Sequence, residues 1–195
     1  MEDVRIVTTE DRWTPPSSWC PNPQWWHSDG SDPDGAESEV TGLVTALVRA
    51  CQPEVVVETG TAAGQTAYAI GWALKDNGHG RLYTIEIDRE AASAAEARLN
   101  GLPVIVACKD SLDWWPQYPI DFAWIDSGTA QTRVREIDRW ASMFSPGALI
   151  GVHDTAPNQG REVLRSLASG LFGSFGWPVL SLRTPRGVMI AQVPC

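Results

Sequence analysis

The chain has 195 residues, of which 43% are hydrophobic and 20% charged, and it carries ten Trp and a formal net charge of -9. This composition excludes a disordered or collagen-like chain, and the length favours one domain. The negative charge disfavours nucleic acid as a partner. The sequence shows neither a run of about 18 apolar residues nor a signal-peptide pattern at its start. We therefore expect a cytoplasmic protein without a membrane partner.

The cysteines are scattered along the chain and form no C-x-x-C pair. This spacing predicts reduced thiols rather than a zinc site or a disulfide framework. The four positions are Cys20, Cys51, Cys108 and Cys195.

Residues 1–36 combine five Pro with four of the ten Trp. Proline interrupts helices and strands, whereas tryptophan supplies apolar surface, so this arm is expected to be ordered only where it docks. A lid over a functional site, a contact with a partner subunit and a structural role all stay open for it. Residues 37–195 form the predicted domain.

Hydrophobic periodicity predicts alternating helices and strands after the arm. A first helix begins near residue 36 and ends before Pro53, and further helices are expected at 65–75, 89–99 and 130–143. Strands are predicted at 54–58, 81–88, 103–107, 120–126 and 148–154. This alternation predicts an α/β fold, with a mostly parallel sheet covered by helices on both faces.

The end of the chain shows a different pattern. Apolar runs at 177–182 and 188–193 flank Thr184-Pro185-Arg186-Gly187. A turn sequence between two such runs indicates a hairpin, so at least one strand is expected to be antiparallel.

In open α/β sheets, ligands bind beyond the carboxyl ends of the strands. The first strand ends in Glu58-Thr59-Gly60-Thr61-Ala62-Ala63-Gly64, in which Ala62 and then Gln65 replace two glycines of a dinucleotide fingerprint. No Gly-Lys-Ser/Thr follows, so a P-loop is excluded as well. Glu58 would repel a phosphate, and it suits a ligand that carries a positive charge.

Several strand ends together resemble one family. Its marks are the 58–64 loop, Tyr83-Thr84-Ile85-Glu86-Ile87-Asp88, Asp110-Ser111, Ile125-Asp126 and the segment 147–155, GALIGVHDT. Over about residues 37–193 the chain resembles the class I S-adenosylmethionine-dependent methyltransferases, in particular the small-molecule O-methyltransferase branch. The resemblance implies a Rossmann-like fold, whose seven-stranded sheet is mostly parallel and has an antiparallel last strand.

The resemblance also implies a binding site for S-adenosylmethionine. Gly60 and Gly64 would let the backbone approach the cofactor, Glu86 would accept hydrogen bonds from the ribose hydroxyls, and Asp110 with Ser111 would lie near the adenine. Taken singly, each of these residues also suits a turn, a strand end or a helix cap. The full predicted set is Glu58, Gly60, Thr61, Gly64, Glu86, Asp110, Ser111 and Asp126.

Two acidic residues, Asp126 and Asp154, end neighbouring strands in the implied sheet. In metal-dependent relatives, acidic groups at these positions hold magnesium with a third ligand beside the second one. Here that neighbour is His153 or Thr155, which departs from the usual acid or Asn. A Mg²⁺ site at Asp126 and Asp154 is one prediction, and capping of the following segments is the alternative.

The catalytic base is the least determined part of the predicted site. Relatives often carry His or Lys three residues after the first Asp, where this chain has Thr129, which does not act as a base at neutral pH. His153 is the candidate base or ligand, and Asp126 is the second catalytic candidate. Side chains alternate along a strand, so a structural histidine facing away from Asp154 stays an alternative.

Two further patterns concern the surroundings of the site. Trp114 and Trp115 follow Asp110-Ser111 and are expected either to line the cofactor or acceptor site or to cover a core edge. The charges of Arg133, Arg135, Glu136, Asp138 and Arg139 alternate in sign and predict a solvated helix face.

The leading functional hypothesis is methyl transfer from S-adenosylmethionine to a hydroxyl of a small molecule, with or without help from a divalent metal. One alternative is a methyltransferase-like binding or accessory protein without activity, and another is a methyltransferase that acts on a macromolecule. The sequence leaves the acceptor open. It also leaves open whether the protein forms a homo-oligomer.

Overall fold

The computed structural model describes residues 19, 20, 26, 36–157 and 161–195. Seven strands form one sheet in the order β3-β2-β1-β4-β5-β7-β6. The strands are β1 (Val55–Thr59), β2 (Arg81–Glu86), β3 (Val104–Cys108), β4 (Ile120–Ile125), β5 (Phe144–His153), β6 (Val179–Leu182) and β7 (Val188–Gln192). The helices are α1 (Ser38–Cys51), α2 (Gln65–Asn77), α3 (Arg89–Arg98), α4 (Ala130–Trp140) and α5 (Glu162–Phe175).

The direction of the strands agrees with the sequence prediction. Strands β1 to β5 pair in parallel, whereas β7 pairs antiparallel with both β5 and β6. The hairpin predicted from the Thr184 to Gly187 turn is therefore confirmed. The predicted seven-stranded Rossmann-like sheet with its antiparallel last strand is confirmed as well.

Helices cover both faces of the sheet because both faces of its central strands are apolar. On one face, buried side chains of α1, α2 and α3, such as Val44, Ile70 and Ala95, pack against Val56 and Phe122. The opposite face is covered by buried side chains of α4 and α5, namely Ile137, Trp140, Leu164, Ala168 and Phe172. Strands buried on both faces are typical of parallel sheets. Because helices cover both faces, the carboxyl ends of the strands are where a ligand can reach the sheet.

Helix α5 is not among the helices predicted from the sequence. Its buried residues Leu164, Ala168 and Phe172 recur every four positions, which is the spacing of one helix face. Gly170 and Gly173 interrupt this pattern in the sequence, since glycine is a poor helix former. Packing of the apolar face on the sheet outweighs that local preference.

Most of the predicted arm lies outside the described residues. Of its tryptophans, Trp19 and Trp26 are described, and Trp26 packs against the core cluster on the α1 side of the sheet. The indole N–H of Trp19 donates a hydrogen bond to the carbonyl oxygen of Thr184 at 3.1 Å. These two residues of the arm therefore contact the domain.

The four cysteines are all among the described residues, and each carries a thiol. No helix in the described part of the chain is long and apolar enough to cross a membrane.

Candidate functional site

A cavity of about 280 Å³ opens at the carboxyl ends of β1 to β4. It is close to the lower end of the volumes typical of small-molecule sites. Four of the eight predicted cofactor residues line it, namely Gly60, Glu86, Asp110 and Ser111. The remaining lining residues are Ile85, Ile87, Lys109, Leu112, Ser127, Gly128 and Thr132.

Gly60 forms the part of the wall where β1 approaches the end of β4. Its φ is +79°, and a Cβ at this position would lie 2.5 Å from the carbonyl oxygen of Asp126. Its N–H donates to the carbonyl oxygen of Ile85 at 3.0 Å. Both the backbone conformation and the close approach require glycine here.

Glu86 is held at the cavity by the backbone around it. One carboxylate oxygen accepts from the N–H of Ala62 at 2.8 Å, and the other accepts from the N–H of Asp88 at 2.9 Å. A carboxylate oxygen has two lone pairs, so each oxygen can accept another hydrogen bond. This arrangement suits a ligand with two neighbouring hydroxyl groups.

Asp110 and Ser111 begin a short 3-10 turn after β3. The Asp110 carboxylate accepts from the N–H of Leu112 at 2.8 Å, so it caps this turn. The Ser111 hydroxyl donates to Glu136, which lies beneath the cavity. The cap is therefore formed, and both residues also line the cavity.

Glu58 and Thr61 lie behind the cavity wall rather than on it. The Thr61 and Thr84 hydroxyls are 2.5 Å apart, and Thr84 donates to Glu58 at 2.5 Å. Burial raises the pKa of Glu58 to about 8, against a smaller lowering by the Thr84 hydrogen bond. At neutral pH this carboxyl is therefore mainly protonated, and it lacks the negative charge that the sequence predicts beside a cationic ligand.

Gly64 serves the packing of α2. It precedes the helix with φ +79°, and a Cβ here would lie 3.4 Å from the Cβ of Ala95 on α3. The structure therefore places Gly64 against α3, whereas Gly60 lies on the cavity wall.

Glu136 on α4 is fully buried beneath the cavity and accepts three side-chain hydrogen bonds. The donors are the hydroxyls of Thr59, at 3.0 Å, Ser127, at 2.5 Å, and Ser111. Burial raises the pKa of Glu136, while the three hydroxyls and Arg133 lower it in part. The side chain joins residues that follow or end β1, β3 and β4.

His153, the last residue of β5, is fully buried between two carboxylates. Its Nδ1 lies 3.0 Å from Asp126, and its Nε2 lies 2.9 Å from Glu37, the residue before α1. Burial alone lowers the pKa of His153, but the charges of Asp126 and Glu37 outweigh it and bring the pKa to about 9. The imidazole is thus a cation that donates through both nitrogens.

Asp154 follows β5 with φ +62°, a left-handed conformation that interrupts the alternation of side chains along the strand. As a result, its carboxylate lies on the same side as His153. Arg186 makes two hydrogen bonds to it, at 2.6 and 2.9 Å, and Arg161 makes a third at 3.0 Å. Although burial raises the pKa of Asp154, His153, Arg186 and Arg133 together hold it well below the usual value.

The family model of a methyltransferase domain matches residues 57–155, just over half of the chain, including the end of β1, the cavity loops and the Asp126 to Asp154 region. The chain belongs to this methyltransferase family. The resemblance seen in the strand-end motifs is therefore confirmed. No curated protein matches the sequence of this methyltransferase.

Solved structures share the fold of the methyltransferase at low sequence identity. One is the O-methyltransferase TomG from Streptomyces achromogenes, involved in tomaymycin synthesis and solved with SAM (24% identity, 83% of this chain and 82% of that chain, TM-score 0.67). Another is the SAH-bound methyltransferase PaMTH1 from Podospora anserina (16% identity, 86% and 83%, TM-score 0.70). A third is an O-methyltransferase from Bacillus cereus in complex with SAH (20% identity, 82% of each chain, TM-score 0.63).

The Asp126 and Asp154 carboxylates of the methyltransferase do lie close together, with ligand atoms of Asp126, His153 and Asp154 all within 4.8 Å of one another. However, the carboxylate oxygens of Asp126 and Asp154 already face cationic side chains of the same protein, and both ring nitrogens of His153 face carboxylates. A protonated imidazole also has no lone pair for a metal. In this arrangement the three residues do not fit a divalent cation.

The structure also bears on the two positions considered for a catalytic base. Both ring nitrogens of His153 are hydrogen-bonded to carboxylates, so this geometry favours a structural cation over a base. Thr129 precedes α4, and its hydroxyl accepts from the N–H of Thr132 at 3.2 Å. Thr129 is therefore a helix cap, and His27, the histidine of the arm, lies outside the described residues.

The tryptophan pair contributes to the core edge rather than to the cavity lining. The rings of Trp114 and Trp140 meet edge to face, with centroids 5.6 Å apart, and Trp114 also contacts Tyr83. Trp115 is half exposed, with the Arg139 guanidinium 5.4 Å from its ring centroid. Neither tryptophan is among the residues that line the cavity.

The prediction of a solvated face for the charged residues of α4 is wrong for Arg133 and Glu136, which are buried. They share a helix face with Ile137 and Trp140, because residues three and four positions apart lie side by side. That spacing is the sequence signal for both residues. Glu37, Arg161 and Arg186 carry no comparable signal, since each reaches the site from a separate segment.

Proposed function

We propose that this methyltransferase transfers a methyl group from S-adenosylmethionine to a hydroxyl group of a small molecule. The observation that carries the proposal is that Gly60, Glu86, Asp110 and Ser111 line one cavity at the strand ends. SAM- or SAH-bound neighbours with the same fold support the choice of cofactor. O-methyltransferases among them support oxygen as the acceptor atom.

The cavity suits the nucleoside part of this cofactor. Glu86 offers two carboxylate oxygens for the ribose hydroxyls, and the Asp110 and Ser111 segment provides the wall beside the adenine. Gly60 leaves room for the backbone to approach the ligand. In this proposal, the role of Thr61, Gly64 and Glu58 is to support the cavity wall.

In the reaction the S–CH3 bond of the cofactor breaks and leaves a neutral thioether as an O–CH3 bond forms, and the acceptor hydroxyl gives its proton to the Asp126 carboxylate. We place Asp126 nearest to the acceptor, because its side chain is 18% exposed whereas that of His153 is fully buried. His153 then acts as a positioning residue that holds the Asp126 carboxylate. Magnesium has no step in this proposal, because the strand-end residues do not fit it. The cytoplasmic location and the absence of a nucleic-acid partner remain predictions from the sequence.

Ligand-induced stabilisation tests the cofactor assignment. S-adenosylmethionine and its demethylated product should each raise the Tm, by an amount that grows with ligand concentration. Glu86→Ala should abolish the shift, whereas Glu96→Ala, at an exposed position of α3, should preserve it. Wild-type protein whose Tm does not respond to either ligand would contradict the proposal.

An accessory protein that binds the cofactor without turnover is the second candidate. It is favoured by the capping role of Thr129 and by the two carboxylates that occupy His153. Transfer of labelled methyl groups to a panel of phenols, sugars and other hydroxyl compounds separates the two candidates. Tight cofactor binding with no labelled product across the panel would favour the accessory protein, and a labelled protein or nucleic acid would favour a macromolecular acceptor.

A further inference from the structure

Asp126 and Asp154 combine two features that point in opposite directions. Their close carboxylates, next to an imidazole, have the composition of a divalent-metal site. Yet cationic side chains from four separate parts of the chain converge on the same oxygens. These carboxylates therefore bind either a divalent metal or the cationic side chains of the protein itself.

Both oxygens of Asp154 are saturated by guanidinium groups. One oxygen accepts from Nε of Arg186 and Nε of Arg161, and the other accepts from Nη2 of Arg186. Nη2 of Arg133 lies 3.4 Å from the second oxygen. The paired Arg186 contact has the two-point geometry in which arginine binds carboxylates best.

The oxygens of Asp126 are occupied in the same way. One lies 3.1 Å from Nη2 of Arg133, and the other lies 3.0 Å from Nδ1 of His153. Nε2 of His153 is used as well, by Glu37 at 2.9 Å. A metal would have to displace the hydrogen-bond donors from both carboxylates and a proton from the imidazole.

Charge balance opposes that exchange. Among the described residues, four cationic side chains face three carboxylates in this network, which consists of His153, Arg133, Arg161 and Arg186 with Glu37, Asp126 and Asp154. Its histidine, Arg133 and Glu37 are buried, so water screens their charges poorly. Within the described part of the chain, a divalent cation here would add positive charge where cationic side chains already outnumber the carboxylates.

We propose that this methyltransferase excludes divalent metals from Asp126 and Asp154, because its own arginines and His153 supply the positive charge there. The exclusion concerns binding and stands apart from the proposed reaction. Its consequence, a methyl transfer that needs no divalent metal, rests on the proposed function. Fixed cations beside Asp126 then give the acceptor end of the site its positive charge.

The fold brings the cations together through close backbone packing. Arg186 lies in the turn between β6 and β7, and its N–H also donates to Glu37 at 3.1 Å. A Cβ on the next residue, Gly187, would lie 2.1 Å from the backbone nitrogen of Ala156. Only glycine lets this turn approach the segment after β5 so closely, and this approach places Arg186 on Asp154.

Titration with Mn²⁺, followed by electron paramagnetic resonance, tests the exclusion directly. SAH-loaded wild-type protein, dialysed against EDTA, should show no saturable Mn²⁺ binding up to about 1 mM. Stoichiometric binding that Asp154→Asn abolishes would overturn the proposal. The Tm shift with SAH, recorded on the same sample, tests the cofactor proposal separately, so either can fail alone.

Removal of the arginines supplies the complementary measurement. Arg161→Met with Arg186→Met keeps the apolar stems but exposes the Asp154 oxygens, and this variant should gain one Mn²⁺ site that Asp154→Asn then removes. Arg135→Met, at an exposed position of α4, should gain none. A folded double variant without a new site would contradict the exclusion by arginine. If the double variant does not fold, Arg186→Met alone gives the test, because it removes the two-point contact to both Asp154 oxygens.

Discussion

The hydroxyl of Ser127 donates a hydrogen bond of 2.5 Å to the buried carboxylate of Glu136, which ties the end of β4 to helix α4. The same carboxylate accepts from Thr59 and Ser111. Ser111 and Ser127 line the cavity, so one side chain positions two parts of its wall.

Replacement of Glu136 by Ala should reduce both stability and cofactor binding. It leaves three buried hydroxyls without their acceptor, at a cost of about 1–3 kcal/mol for each one that finds no substitute. The KM for S-adenosylmethionine should rise more than kcat falls. Urea unfolding and steady-state kinetics measure the two effects.

Two variants on the same helix serve as references. Glu136→Gln keeps one carbonyl oxygen as acceptor, so its KM should lie between those of the wild type and Glu136→Ala. Asp138→Asn changes an exposed carboxylate and should leave the KM unchanged. Loss of stability in Glu136→Ala at constant KM would show that Glu136 acts on folding alone.

Gly60→Ala should destabilise the protein and weaken S-adenosylmethionine binding. It combines an unfavourable positive φ with a Cβ 2.5 Å from the carbonyl oxygen of Asp126, so the expected loss is about 3 kcal/mol. Gly78→Ala is a matched control, because its φ is +77° but no atom lies within 4 Å of the added Cβ. The control should lose only about 1 kcal/mol. Equal losses of unfolding free energy in Gly60→Ala and Gly78→Ala, with cofactor affinity unchanged in both variants, would contradict this account.

The part of the fold that the sequence predicted depends on local patterns. The β1 run, its glycine loop and the hairpin turn at Thr184 to Gly187 each combine residue types whose conformational preferences agree with the observed structure. Four predicted cofactor residues reach the cavity wall because a parallel sheet places all its strand ends at one edge.

The part that the sequence missed depends on long-range packing. Glu37 and His153 are 116 positions apart, and no local pattern indicates that they meet. Arg186 is brought to Asp154 by a hairpin whose position relative to β5 depends on Gly187. A charged side chain is buried only where the fold supplies a partner of opposite charge. Asp154 has three guanidinium groups as neighbours, and these change the chemistry expected of it from the sequence.

The buried Glu58 should make stability depend on pH. Its pKa in the folded protein is about 8, against an ordinary value of 4.5, so the folded state keeps a proton that the unfolded state has released. This contribution is complete below the ordinary pKa and is lost as pH rises towards 8. The slope of unfolding free energy against pH should therefore be more negative, by up to about 1.4 kcal/mol per pH unit, than in a variant without this group.

Glu58→Gln isolates that contribution. Urea unfolding between pH 5 and about 8 should give a flatter profile for this variant than for the wild type, with the largest relative gain at the alkaline end. Glu96→Gln removes an exposed carboxylate and should reproduce the wild-type slope. Parallel profiles for all three proteins would show that Glu58 ionises normally in the folded state.

Trp19 connects the N-terminal arm to the Asp154 network. It donates to the carbonyl oxygen of Thr184, the first residue of the turn that contains Arg186, and the Arg165 guanidinium lies 4.6 Å from its ring centroid. Trp19→Ala should therefore loosen this turn, lowering kcat with the acceptor while SAH affinity stays unchanged. Trp19→Phe keeps a ring for Arg165 but not the N–H donor, so its kcat should lie between those of the wild type and Trp19→Ala. If Trp19→Ala instead lowers the Tm and leaves kcat at the wild-type level, the arm contact is structural, and a deletion of residues 1–30 should then impair folding before it impairs turnover.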